Sequence, residues 1–160
     1  MRTKIDIHFT VDATPAQVFE ALAATEMLPE WSAYQDARVA TRDANNRPTK
    51  IYVTADVHGS PDLQVLEWHW TADRVTWQVI DSSRGIRGGG WYEVAESQDE
   101  TQVWYHAELQ TKIPLPGLLL KRTQQRWHET IVENFIEFVE SLHETPSYDD
   151  YLDPAYTDQV

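Results

Sequence analysis

The chain is 160 residues long, with 26 Asp plus Glu against 13 Lys plus Arg, seven Trp and no Cys. That length suits one domain able to bury a core unaided, and the lack of Cys excludes thiol catalysis, thiolate metal sites and disulfide frameworks. A formal charge of -13 argues against wrapping nucleic acid or resting stably on an anionic membrane, because no basic excess exists to displace phosphate counterions.

The N-terminus alternates instead of running apolar, so no signal peptide is read there and a cytoplasmic location is expected. Ile5, Ile7, Phe9 and Val11 share one face, with Lys4, Asp6, His8 and Thr10 on the other. That is the period of a half-buried strand. Thr14, Pro15 and Gln17 follow with the spacing of a capping box and a proline at the first helical position. A short amphipathic helix is therefore predicted through Val18, Phe19 and Leu22 to about Thr25, then a brief helix or turn over 26–32.

From Tyr34 onward the pattern is strands and turns. Strands are predicted at 35–41, 49–57, 63–71, 74–80, 89–95 and 102–112, separated by gaps of hairpin length, which implies one antiparallel meander. Pro114 and Pro116 close the last strand, and a long helix is predicted over 117–143. Leu120, Trp127, Ile131, Phe135, Phe138 and Leu142 recur at helical spacing, opposite Glu129, Glu133, Glu137 and Glu140. Residues 1–143 read as one domain. The remaining 144–160 hold five acids, three Tyr and no basic residue, the composition of a disordered acidic tail.

Strand, two short helices, six strands and a long C-terminal helix is an order that resembles the START-like helix-grip superfamily, nearest to its bacterial polyketide cyclase/dehydrase branch. The resemblance rests on IDIHFTVDATPAQVFEALAATEMLPEWS, on TQVWYHAEL, and on KIPLPGLLLKR leading into the long helix. It implies an α+β fold in which a curved antiparallel sheet of about seven strands wraps that helix. It also implies an apolar cavity between the two, which is the usual setting of a small-molecule site.

The tryptophans are the natural lining of such a cavity. Trp68 and Trp70 share a strand face with Leu66, Trp77 lies with Val75 and Val79, and Trp91 and Tyr92 take opposite faces of the next strand. Trp127 and Ile131 come from the helix. In the last strand Val103, Tyr105, Ala107 and Leu109 form the apolar set, which sends Tyr105 inward and Trp104 outward. The expected ligand-binding set is thus Trp68, Trp70, Trp77, Trp91, Tyr105, Trp127 and Ile131. Candidate acid/base residues are His58, Glu67 and Tyr105.

No His pair has the spacing of a helical metal site and no G-x-S-x-G occurs, so neither a metal, a cofactor nor a hydrolase triad is expected. The run Gly85 to Gly90 lacks the Lys-Ser/Thr of a phosphate loop and reads as a bulged, bent hairpin. Leu115, Leu118 and Leu119 precede Lys121 and Arg122. In the family resembled they fall at the cavity portal, and an exposed strip there would make a homodimer unsurprising. The primary expectation is binding or transport of a hydrophobic or aromatic small molecule, such as a lipid or polyketide. A polyketide aromatase/cyclase-type enzyme is the first alternative, and an interaction module acting through the acidic tail is the second.

Overall fold

The computed structural model describes residues 2–57, 59–111 and 117–142. Strand β1 (Arg2–Val11) turns Ile5, Phe9 and Val11 into the core, as its alternation predicts. The chain then enters α1 (Pro15–Ala23) through the expected capping box. The Gln17 N–H donates to Thr14 Oγ1 at 3.2 Å, and the Thr14 N–H donates to Gln17 Oε1 at 2.9 Å. Two otherwise orphaned helix-terminal donors are satisfied in this way. A 3-10 turn (Thr25–Met27) leads into α2 (Leu28–Trp31), which buries Leu28 and Trp31.

Six strands follow: β2 (Tyr34–Arg42), β3 (Pro48–Val57), β4 (Ser60–Trp70), β5 (Arg74–Ser82), β6 (Arg87–Ser97) and β7 (Glu100–Gln110). With β1 they form a seven-stranded antiparallel sheet in the order β1-β7-β6-β5-β4-β3-β2. The order is a meander with the first strand added beside the last, so β1 and β2 are its two edges. The pairing of β2 with β3 changes register three times. The long helix α3 (Gly117–Leu142) packs against β1, α1 and α2, completing the helix-grip architecture.

Two details of the sheet decide what faces the helix. The pairing of β4 with β5 runs Leu66–Val79 and then Val65–Asp81, so Ile80 is an extra, bulged residue. The bulge reverses the parity of β5 beyond it. Val75, Trp77 and Val79 point inward, and after the bulge Ser82 points inward in place of Asp81.

The glycine run differs from the predicted bent hairpin. Its turn is confined to the residues before Arg87, and Gly88, Gly89 and Gly90 sit inside β6, paired in regular register with β5 and β7. A Cβ on Gly90 would strike the His106 carbonyl oxygen, and one on Gly88 the Glu108 carbonyl oxygen. Backbone closeness, not a bulge, is what these glycines supply.

The helix stripe is rotated from the predicted one. His128, Val132, Phe135 and Val139 are buried, whereas Trp127 and Leu142 are each 45 % exposed. The sheet meets α3 on the His128 side, so a polar residue sits on the inward line and Trp127 moves to its border.

Candidate functional site

Between the concave face of the sheet, α2 and α3 lies a cavity of about 300 Å³, at the small end of the range for small-molecule sites. Its sheet wall is built by alternation, with Gln64, Leu66 and Trp68 from β4, Trp77 and Val79 from β5, Tyr92 from β6, and Tyr105 and Leu109 from β7. Leu28 and Trp31 of α2 and Trp127, His128 and Ile131 of α3 form the opposite side. Fully buried Phe135 packs against two of these lining residues, its ring 4.7 Å from that of Trp31 and 6.1 Å from that of Tyr92. The wall is mostly hydrocarbon and indole. Its polar groups are few and specifically placed.

The Tyr105 hydroxyl is 3.0 Å from His128 Nδ1. Burial holds His128 down at about 4, well below an ordinary imidazole, so at neutral pH its ring is uncharged. The Tyr105 and Tyr92 hydroxyls are pushed far up by burial and by the neighbouring tyrosines. Tyr34 rises to about 12 through burial and the nearby Asp62 charge. All four rings are therefore neutral hydrogen-bonding groups at physiological pH.

At the β4 end of the cavity, Asp62 is completely buried and fully hydrogen-bonded. It accepts from Gln64 Nε2 at 2.7 Å, Ser82 Oγ at 2.8 Å, Ser83 Oγ at 3.0 Å and the Arg84 N–H at 3.0 Å. Burial alone would raise its pKa, but these four donors together outweigh that and keep it below the usual carboxylate range. Three other buried polar groups have no partner among the described residues, the indole N–H groups of Trp31 and Trp68 and the Thr25 hydroxyl.

Of the residues expected to bind a ligand, Trp68, Trp77, Tyr105, Trp127 and Ile131 come together around this cavity. Trp70 and Trp91 do not. Trp70 stands beyond the cavity beside Phe19, donates its N–H to the Pro48 carbonyl at 2.7 Å and lies under Arg47. Trp91 takes the convex face, because it alternates against inward-facing Tyr92. There it stacks on His106 at 4.0 Å and under the Arg74 guanidinium at 4.7 Å.

Among the acid/base candidates only Tyr105 reaches the cavity. Glu67 is exposed on the convex face between inward-facing Leu66 and Trp68. His58 and Leu115 lie outside the described residues, as do the side chains of Leu118 and Leu119 and the tail 144–160. Among the described residues no group of three or more His, Asp or Glu is arranged to hold a metal, and no helix is long and apolar enough to cross a membrane.

The sequence reasoning missed Trp31, Tyr34, Gln64, Asp62 and His128. For Asp62 and Gln64 a signal was present, since both share the parity of Leu66 and Trp68 in β4 and so had to face inward. For His128 the signal was its spacing to Val132, Phe135 and Val139.

No family model and no curated protein matches the chain, but solved structures do. A START superfamily protein from Mycobacterium smegmatis superposes with a TM-score of 0.77 at 15% identity, covering 87% of this chain and 98% of that one. The Zhui aromatase/cyclase from Streptomyces sp. R1128 gives 0.69 at 11% identity, covering 97% and 98%. A di-domain aromatase/cyclase of the steffimycin biosynthetic pathway, StfQ, gives 0.63 at 14% identity, covering 86% of this chain and 45% of that one. The chain has the helix-grip fold that these structures share, with an aromatic-lined cavity suited to a hydrophobic ligand, and aromatase/cyclases are among the proteins that have that fold.

Proposed function

We propose that the cavity receives a hydrophobic, oxygen-bearing small molecule of the aromatic or polyketide-like class, and that Tyr105 and His128 act on it as in an aromatase/cyclase. The observation that carries this reading is the 3.0 Å bond between these two side chains inside a mostly apolar wall. The neutral imidazole has two tautomers that satisfy it. With Nδ1 accepting, His128 keeps Nε2–H as a donor. With Nδ1–H donating, the Tyr105 hydroxyl proton is free to polarise a ligand carbonyl. Enolisation and loss of water need such a donor and acceptor side by side.

Carriage without chemistry is the second reading, and it too has a specific support. Desolvation leaves His128 a weak base, at about 4, and no carboxylate orients its ring in the manner of a catalytic dyad among the described contacts.

One experiment separates the two. Flat phenolic compounds and linear poly-β-ketone analogues are titrated against tryptophan emission, and the mixtures are assayed for ring-closed or dehydrated product. Saturable quenching that Trp68→Ala and Trp77→Ala abolish is expected. Product that disappears in Tyr105→Phe and His128→Gln, with quenching retained, supports the enzyme. Quenching without product leaves carriage. An unresponsive emission spectrum removes both.

A further inference from the structure

The Asp62 network constrains the ligand further than its hydrophobicity does. Gln64 is 7 % exposed and lines the cavity. Its amide can present either end to a ligand, but the buried neighbour decides which. Asp62, held as a carboxylate by its four donors, can only accept, so the nitrogen of Gln64 must turn toward it, at 2.7 Å. The amide oxygen is then what remains. Gln64 Oε1 accepts from no group among the described residues, and it is not among the buried atoms sealed from contact without a partner. It stands as an open acceptor on the cavity wall.

The rest of the network keeps this arrangement rigid. Ser82 reaches Asp62 only because the bulge at Ile80 turns it inward. Ser83 is locked to β4 twice over, its N–H donating to the Leu63 carbonyl and its Oγ accepting from the Leu63 N–H, each at 2.9 Å. Rotation of Asp62 would strand several donors at once. The described lining holds no Lys or Arg side chain, so nothing there offers an anion a counter-charge.

We propose that Gln64 Oε1 is a specificity determinant that selects a ligand hydroxyl or N–H donor at the β4 end of the cavity, and that Asp62 is the positioning residue that sets its direction. The inference rests on the ligand-binding reading above and adds to it the polarity of one end of the molecule. A neutral phenol or alcohol fits. An ether or ketone at the same point leaves two acceptors facing each other.

The test is calorimetric titration of the full chain with 2-naphthol and 2-methoxynaphthalene, which differ in that only the first can donate. Wild type should bind 2-naphthol roughly tenfold more tightly, the size of one buried hydrogen bond. Gln64→Leu should erase the difference, because the acceptor is gone. Asp62→Asn carries the informative outcome. The new amide nitrogen can donate to Gln64 Oε1, which turns Gln64 Nε2 toward the cavity and should reverse the preference in favour of the ether. A merely structural role for Asp62 would weaken both ligands equally. Equal affinities in wild type, or a preference that survives Gln64→Leu, overturn the proposal while leaving the cavity intact as a binding site. Failure of both compounds to bind overturns the binding reading as well. If circular dichroism shows Asp62→Asn unfolded, the Gln64→Leu comparison decides alone.

Discussion

Tyr105 of β7 and His128 of α3, 23 residues apart in sequence, are joined by a 3.0 Å hydrogen bond that spans the space between sheet and helix. The two residues are 5 % and 3 % exposed. Removing one leaves the other buried and unpaired, which costs about 1–3 kcal/mol. Tyr105→Phe should therefore lower unfolding stability by roughly that amount in chemical denaturation. The double variant Tyr105→Phe with His128→Leu should recover part of the loss, since two apolar groups replace a stranded polar one. If the double variant is as unstable as the sum of the singles, the bond is not what couples the two.

Stability should also depend on pH through His128. The folded group titrates at about 4 and the unfolded one near its ordinary value of about 6.5. Between these values the unfolded chain binds the extra proton, so stability is fully present above about pH 6.5 and is lost as pH falls toward 4. The loss should be of order 3 kcal/mol for this buried group. Thermal unfolding of wild type and His128→Gln across that window checks it. The melting curve of the variant should fall less steeply with acid, and equal slopes would rule out His128 as the source.

Thr14→Ala is expected to cost about 1 kcal/mol by removing the α1 cap. Thr14→Ser, which keeps the hydroxyl, should cost little. Urea titration compares them, and equal destabilisation by both would show that the hydroxyl's bond to the Gln17 N–H contributes nothing measurable.

Gly90→Ala should be far more damaging than its single methyl suggests. The added carbon points at the His106 carbonyl oxygen, part of the β7 backbone that cannot move aside without breaking the ladder. A loss of roughly 3 kcal/mol or more is expected, at the upper end for overpacking. Gly59→Ala is the control. Gly59 has open space around it, so only its positive φ of 80° resists substitution, and the loss should be the smaller of the two.

The separation of indoles predicts a simple optical result. Trp68 and Trp77 line the cavity, whereas Trp91 is stacked on the convex face. A cavity ligand should quench emission in Trp91→Phe as fully as in wild type and distinctly less in Trp77→Phe. The opposite pattern would place the ligand on the wrong side of the sheet.

These contrasts also mark what could be read from the chain beforehand. Alternation in β1, β5 and β7 was legible because an apolar set recurs on one face of each strand, which set Tyr105 inward and Trp104 outward without any structure, whereas in β4 Val65 on one face competes with Leu66, Trp68 and Trp70 on the other. Boundaries in β6 were less so. Trp91 and Tyr92 are both aromatic and adjacent, so composition could not say which entered the cavity, and only the pairing of Tyr92 with Val75 and Tyr105 decides it. The bulge at Ile80 was invisible because Ile80, Asp81 and Ser82 carry no glycine or proline to announce it. His128 was hidden for a different reason. A polar residue on an apolar line looks like the edge of a stripe until its partner, far away in β7, is known.

The irregular edge strand β2 has a consequence for how copies of this molecule meet. A flat, regular edge offers unpaired amides to any strand that approaches it, and is the usual starting point of aggregation. Here the register with β3 shifts three times, and Asp36, Arg38 and Arg42 stand exposed along the strand. A ribbon so broken and charged makes a poor template for another chain. The β2 edge is thereby a poor site for strand addition, and the charges that guard it, Asp36, Arg38 and Arg42, are not residues that line the cavity.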